Sequence, residues 1–210
     1  MRAAWRWLAL IAPCLLLPAP PRFLHLSHKL DPSLLDRARD AIARSEYEAR
    51  PNAHGLQAPN RANGLRTYFT SDGVSVQVRG GLGAPQLLDL SLSGVGRGAR
   101  LAKVMPGEVT HEGARVEIRG PGLAEWYVNS PAGLEQGFTV QNRPEGDGAL
   151  ALELRFAKAR ATAHGAAELV FQAANGRSLR FGELRAQDAQ GRALDARFEL
   201  AGDEIGRAHV

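Results

Sequence analysis

The side chains best suited to ligand binding lie in one stretch, residues 123–140, with the sequence LAEWYVNSPAGLEQGFTV. Trp126 and Tyr127 are adjacent, so on a β-strand one of them points into the core and the other lies on the outer surface. An outward-facing aromatic ring offers an apolar face on which a sugar ring can stack. We therefore predict Trp126, Tyr127 and Asn129 as candidate ligand-binding residues. The alternative is that both rings pack in the core and that Asn129 belongs to the connection to the next strand.

Two carboxylates in the same stretch, Glu125 and Glu135, are the candidates for hydrolytic chemistry. A glycosidase uses two carboxyl groups that face each other across a cleft. Sequence alone does not measure the separation of two side chains, so a secreted hydrolase domain that uses this pair is kept as an alternative. A structure that places the two carboxylates on opposite faces of a sheet would dismiss it.

No other pattern predicts catalysis, a metal or a cofactor. None of the six histidines has metal-ligand spacing inside a predicted element, and the acidic turns at 71–73 and 145–148 supply single carboxylates where calcium needs several oxygen ligands. Nucleophile elbows, P-loops and dinucleotide fingerprints do not occur, and no helix pattern follows the glycine-rich run 94–98. We predict no catalytic residue, no metal site and no cofactor.

The elements that must position these residues begin with a helix at 31–49. Asp31 is a typical N-cap, Pro32 suits the first helical position, and a stripe of apolar residues at helical spacing follows: Leu34, Leu35, Ala38, Ala41 and Ile42. We predict that this short amphipathic helix packs its stripe on a sheet. Residues 50–63 lack periodicity and are rich in Pro, Asn and Gly, which predicts a linker or loop.

From residue 64 onward, apolar residues alternate with polar ones. Examples are the run ALALELRF at 149–156 and two strand-like runs flanking the turn Asn175–Gly176, which is a strong hairpin signal. Short strands at this spacing, with turn residues between them and no second helix pattern, are typical of an all-β sandwich. We predict an antiparallel β-sandwich over residues 64–203 and a mainly β chain.

The N-terminus has the pattern of a secretory signal peptide over residues 1–22. Arg2 and Arg6 precede an apolar stretch of about ten residues, which is shorter than the roughly 20 that a membrane-spanning helix needs. Cys14, the single cysteine, raises a lipoprotein alternative, but Pro13 stands where a small residue is required. We predict export to the extracellular space, the cell surface or the periplasm. Contact with a membrane is expected only through the signal peptide or, less favoured, a lipid on Cys14.

The last seven residues, EIGRAHV, match the translation of a common short-read sequencing adapter, whose next codon is a stop. We therefore predict that residues 204–210 are an artefact and that the native reading frame is interrupted near Asp203.

Composition excludes several classes of protein. The 210 residues carry 26 basic and 22 acidic side chains, a net charge of +4, and the arginines are scattered singly among acids. No basic run marks a surface that follows a phosphate backbone, so we predict no nucleic-acid partner. A single cysteine cannot form an internal disulfide or a cysteine-ligated zinc site.

Two strings, PNRANGLRTYFTSDGVSV at 59–76 and AEWYVNSPAGLEQGFTV at 124–140, resemble the N-terminal β module of large exported bacterial repeat proteins. In such proteins FG-GAP (integrin-α-like), SBBP-type β-propeller or Ig-like repeats follow the module. The resemblance implies a cell-surface or secreted module with an interaction, adhesion or structural role, here cut off before the repeats. It carries no functional residue onto this chain, because its motifs have no known chemistry.

The sequence therefore predicts a non-catalytic β-sandwich module of a secreted or cell-surface protein, with a protein or glycan partner at the cell surface. The first alternative is a carbohydrate-binding module that uses Trp126 or Tyr127. The second alternative is the secreted hydrolase domain.

Overall fold

A computed structural model describes residues 32–81, 83–202 and 205–210. The predicted signal peptide, the candidate lipidation site Cys14 and the predicted N-cap Asp31 lie outside these residues. Within the described ranges, the single helix is neither long nor apolar enough to cross a membrane.

The described chain contains one helix followed by eighteen strands. The helix is α1 (Pro32–Ser45). The strands are β1 (Arg50–Asn52), β2 (Gly55–Asn60), β3 (Leu65–Thr70), β4 (Gly73–Val78), β5 (Gln86–Arg97), β6 (Arg100–Lys103), β7 (Glu108–Glu112), β8 (Arg115–Gly120), β9 (Leu123–Ser130), β10 (Gly133–Val140), β11 (Leu150–Ala157), β12 (Ala159–Ala163), β13 (Leu169–Ala173), β14 (Ser178–Phe181), β15 (Ala186–Gln187), β16 (Ala193–Leu194), β17 (Arg197–Leu200) and β18 (Ile205–His209).

The strands form three main antiparallel sheets and one short pair. The large sheet has the order β1-β2-β3-β4-β5-β11-β18-β17, and β6 pairs with the second half of β5. The four-stranded sheet has the order β10-β9-β8-β7, and the three-stranded sheet has the order β12-β13-β14. The short pair consists of β15 and β16. The predicted fold class is confirmed: the chain is mainly β and antiparallel, with one short helix and a sandwich-like architecture.

The core lies on one face of the large sheet. Phe69, Val74, Leu90 and Phe156 are successive cross-strand partners, so their side chains share that face. At one end, Phe69 meets Tyr127 of the four-stranded sheet edge to face, with ring centroids 5.5 Å apart. At the other end, Phe156 meets the ring of Phe171 on the three-stranded sheet at 5.1 Å. The two smaller sheets therefore cover the same face of the large sheet, side by side.

The predicted linker at 50–63 is wrong, because most of it forms β1 and β2. Inward positions of β2 carry Leu56, Ala58 and Asn60, so the strand shows little apolar alternation although Ala58 and Asn60 are buried. Pro59 lies beyond the part of β2 that β1 pairs with, so its missing amide interrupts no hydrogen bond between those two strands.

The predicted packing of the helix on a sheet is also wrong. Its apolar residues Leu34, Leu35 and Ile42 are 56%, 41% and 62% exposed. One face of the large sheet is already covered by the two smaller sheets, and its other face carries charged side chains such as Arg155 and Glu153. In the part of the chain that the structure describes, the apolar stripe of the helix therefore stays exposed.

Most of the described part of the predicted artefact, Ile205–His209, lies inside the large sheet as β18, which pairs with β11 on one side and β17 on the other. Gly206 and Ala208 face the core, and Ala208 is buried. Almost any sequence without proline can pair in this way, because strand pairing uses main-chain groups that every other residue carries. The pairing of β18 therefore does not test whether residues 204–210 are native, and their adapter origin stays a prediction.

Candidate functional site

The stretch with the candidate residues forms β9, the turn that follows it and β10. Along β9, Leu123, Glu125, Tyr127 and Asn129 are buried on the inner face of the four-stranded sheet. Trp126 points to the opposite, outer face and is half-buried. The expectation that one aromatic residue enters the core and the other lies outside is confirmed, with Tyr127 inside and 1% exposed.

On the inner face, Glu125, Tyr127 and Gln136 form a hydrogen-bonded polar group, in which the side-chain oxygen of Gln136 has no partner among the described residues. The hydroxyl of Tyr127 donates to Oε1 of Glu125. The amide of Gln136 donates to the same oxygen at 2.7 Å and to the Tyr127 hydroxyl at 3.1 Å. Burial raises the pKa of Glu125, an effect that these two hydrogen bonds partly oppose. Burial and the neighbouring Glu125 carboxylate raise the pKa of Tyr127 well above its usual range.

Asn129 holds distant parts of the chain together. Its side-chain amide donates to the carbonyl oxygens of Pro59 at 2.7 Å and Tyr47 at 3.0 Å. Its carbonyl oxygen accepts a hydrogen bond from Asn60 at 2.7 Å. Of the three predicted ligand-binding residues, Tyr127 and Asn129 thus lie in the interior with their polar groups engaged, and only Trp126 reaches the outer surface.

The indole of Trp126 is held by its neighbours on the outer face. A Cβ built on Gly137, its partner on β10, would overlap the six-membered ring, so the indole lies directly over this glycine. The guanidinium of Arg115 lies 4.7 Å from the ring centroid, which is a cation–π distance. Arg115 in turn binds the carboxylate of Glu117 at 2.8 Å.

Glu117 links two arginines beside the indole. Its carboxylate accepts hydrogen bonds from Arg115 and, on the other side, from Arg119, and the two interactions hold its pKa below the usual range. Cross-strand register places the remaining outer-face side chains around this group: Glu108, Thr110, Glu112, Val128, Glu135 and Thr139. The outer face is therefore a mainly polar and charged surface with one aromatic ring near its middle.

The pairing of Glu125 and Glu135 that the hydrolase alternative assumes is wrong. Glu125 shares the inner face with its partner Phe138, whereas Glu135 is exposed on the outer face beside Val128. The two carboxylates are thus separated by the sheet itself and cannot face each other across a cleft. Elsewhere in the described ranges, no group of three or more His, Cys, Asp or Glu side chains could hold a metal ion.

Sequence reasoning missed Arg115 and Gln136 as parts of this site. A signal for Arg115 was present, because the run RVEIR places Arg115, Glu117 and Arg119 on one face of a strand. Its position beside Trp126 depends on the register between β8 and β9, which the sequence does not specify.

Comparisons with family models, with curated proteins and with solved structures found no match for this chain.

Proposed function

We propose that this chain is a non-catalytic interaction module of an exported protein, and that its binding surface is the outer face of the four-stranded sheet around Trp126. Export is supported by the signal-peptide pattern of residues 1–22. The binding surface is supported mainly by one observation: a tryptophan lies on an outer sheet face, over Gly137 and next to Arg115.

A preformed aromatic platform supports binding because it loses little freedom when a ligand arrives. Trp126 is fixed by Gly137, on which the indole lies, and by the Arg115 guanidinium over the ring, so the entropy of ordering this large side chain is already spent on folding. Tryptophan and arginine are also the residue types that most often carry the binding energy of interfaces. The non-catalytic part of the proposal is supported by Glu125, whose Oε1 is held by Tyr127 and Gln136.

A second candidate function, carbohydrate binding, is favoured by the polar groups that flank the indole. Glu117 and Arg119 on one side and Glu135 and Thr139 on the other could accept or donate hydrogen bonds to sugar hydroxyls. The indole supplies the apolar face that a pyranose ring needs for stacking once the sugar displaces the Arg115 guanidinium that lies over the ring. This function uses the same surface as the first, and the two differ in the partner.

A glycan array and a binding assay on intact cells of the producing organism, performed in parallel, test the surface and separate the partners. Binding in either assay should be lost with Trp126→Ala and largely kept with Trp126→Tyr, because the tyrosine ring retains a stacking face. The control Thr162→Ala changes an exposed residue on β12 of the three-stranded sheet, away from this face, and should bind like the parent protein.

Glycan-array binding that depends on Trp126 would assign the carbohydrate function, whereas cell binding that persists after enzymatic removal of glycans would assign a protein partner. Undiminished binding by a folded Trp126→Ala variant would reject this surface. Thermal unfolding of each variant checks that it is folded.

A further inference from the structure

A cavity lies between the large sheet and the four-stranded sheet, beside the chain segment 104–107 that crosses from β6 to β7. Its volume is about 220 Å³. Buried side chains form its floor, namely Leu92, Ile118, Leu123 and Glu125. Exposed residues form its rim, including Asp72, Lys103, Met105 and Pro121. A buried floor with an exposed rim is the shape of a binding pocket.

The carboxyl group of Glu125 is the only ionisable group on the floor of this cavity among the described residues that line it. Its Oε1 accepts both hydrogen bonds of the inner polar group, from Tyr127 and Gln136. No described residue donates a hydrogen bond to Oε2, and because Glu125 lines the cavity this is the oxygen available to an occupant. Glu125 is only 5% exposed, so water solvates its carboxylate poorly.

The rest of the inner surface is apolar. Leu92 and Val95 line the cavity from the large sheet, and Ile118 and Leu123 line it from the four-stranded sheet. At a liquid-water volume of about 30 Å³ per molecule, the space holds about seven waters. A hydrocarbon chain of about five to seven non-hydrogen atoms occupies a comparable volume, and its burial against these side chains is favourable.

The cavity is preformed because its crossing segment is fixed at both ends. The amide of Val104 donates to the carbonyl of Ser93 at 3.0 Å, and the amide of Gly107 donates to that of Ser71 at 2.9 Å. A Cβ on Gly107 would lie 2.8 Å from the carbonyl oxygen of Arg119, so the segment sits tightly against β8. A ligand would therefore meet a rigid wall and would not have to order one.

We propose that this cavity binds a small primary alkylammonium group, with its nitrogen on Oε2 of Glu125 and its alkyl chain against Leu92, Ile118 and Leu123. The ammonium donates a charge-assisted hydrogen bond to the free oxygen and neutralises a carboxylate that burial has desolvated. An anionic ligand would instead place a second negative charge beside Glu125. Lys103 does not reverse this preference, because it lies on the exposed rim, where Asp72 offsets its charge.

Calorimetric titration of the full chain near neutral pH with n-hexylamine, 1-hexanol and hexanoate tests the proposal. The amine should bind saturably and more tightly than the alcohol or the acid. The Glu125→Gln variant should weaken amine binding by about tenfold or more, because it replaces a charge-assisted hydrogen bond by a neutral one. The matched control Glu145→Gln, exposed in the segment between β10 and β11, should bind the amine like the parent protein.

Nuclear Overhauser effects in the unmutated protein provide a measurement that does not depend on the folding of a variant. Amine methylene protons should show cross-peaks to the methyl groups of Ile118 and Leu123. Absence of saturable amine binding, equal affinity for hexanol or hexanoate, unchanged affinity in a folded Glu125→Gln variant, or absence of these cross-peaks would each overturn the proposal.

Discussion

Glu125 lies in the protein interior with two neutral hydrogen-bond donors, the hydroxyl of Tyr127 and the amide of Gln136. Because these donors do not carry charge, they offset only part of the cost of burying a carboxylate, and the pKa of Glu125 is raised. An acid with a raised pKa binds its proton more tightly in the folded state than in the unfolded state. Protonation of Glu125 therefore favours folding.

We expect Glu125→Gln to remove this pH dependence. The unfolded carboxyl has a pKa of about 4.5, whereas burial raises the pKa of the folded one. The contribution of Glu125 to stability is therefore fully present below the unfolded-state pKa and is lost as pH rises through the folded-state pKa. Urea unfolding over a pH series should show the stability of the parent protein falling relative to that of Glu125→Gln across this interval.

The difference in the free energy of unfolding between the parent protein and Glu125→Gln reports the contribution of Glu125 alone. Glu117, Glu153 and Asp188, whose pKa values are lowered and whose effects on stability have the opposite sign, are present in both proteins and cancel. A difference that stays constant with pH, or that rises with it, would contradict the assigned environment of Glu125.

Asn129 gives a second prediction at the residue scale. Asn129→Ala should lower the free energy of unfolding by about 3 kcal/mol, because it removes the donor to the carbonyl oxygens of Pro59 and Tyr47 in a buried site. It also removes the acceptor of one N–H of Asn60, whose side-chain amide keeps only its bond to the carbonyl of Ser130. Chemical denaturation measures the change. Thr139→Ala, exposed on the outer face, is the control and should stay within about 0.5 kcal/mol. A loss below about 1 kcal/mol in Asn129→Ala would show that these bonds are dispensable.

The same residue shows why part of the site escapes prediction from sequence. The opposite orientation of Trp126 and Tyr127 was predictable, because adjacent residues on a strand point to opposite faces. The partners of Asn129, however, are main-chain carbonyls 70 and 82 residues earlier in the chain. No local sequence pattern encodes such a long-range contact. From the sequence alone, a buried asparagine therefore cannot be distinguished from an exposed one.

At the scale of elements, local sequence patterns predicted that the helix forms, but they did not predict that its apolar stripe stays exposed. The predicted helix at 31–49 corresponds to α1, which ends at Ser45, and the amide of Ala49 is then fixed by the carbonyl of Gly113. Helix formation depends on capping and spacing within the segment, whereas packing depends on whether a distant sheet has a free apolar face. Strand β2 was missed for a related reason, since its inward residues are small or polar.

The exposed stripe of α1 leads to a prediction about stability. The triple substitution Leu34→Ala, Leu35→Ala and Ile42→Ala should change the free energy of unfolding by less than about 0.5 kcal/mol, because these side chains are exposed and alanine favours a helix. Chemical denaturation measures this change. Leu88→Ala, a core substitution in β5, should cost about 3 kcal/mol under the same conditions. A loss of about 2 kcal/mol or more from the triple variant would mean that the stripe is packed.

At the scale of the whole molecule, the fold depends on strand pairs that are distant in the chain. Strand β11 joins β5 on one side and β18 on the other, so the centre of the large sheet combines three separate parts of the sequence. Alternation predicted that β5 and β11 are strands, whereas residues 204–210 were predicted to be an artefact and no strand was expected there. The order of strands in a sheet is set by long-range pairing. A mainly β, antiparallel fold was therefore predictable, whereas the side-by-side arrangement of two small sheets on one large sheet was not.

Strand β18 allows a direct test of this dependence. Deletion of residues 205–210 removes the hydrogen-bonded neighbour of both β11 and β17, and it uncovers the core beneath Gly206, which lies close to Phe156 and Leu169. An unpaired, apolar strand edge attracts other strands. We expect the deletion variant to unfold at a lower denaturant concentration and to self-associate, as measured by urea titration and by light scattering after size exclusion. The control Arg207→Ala removes only the ion pair with Glu153 and should cost about 1 kcal/mol or less while the protein keeps the oligomeric state of the parent. A deletion variant with an unchanged midpoint and unchanged size would show that the large sheet does not need its β18 strand.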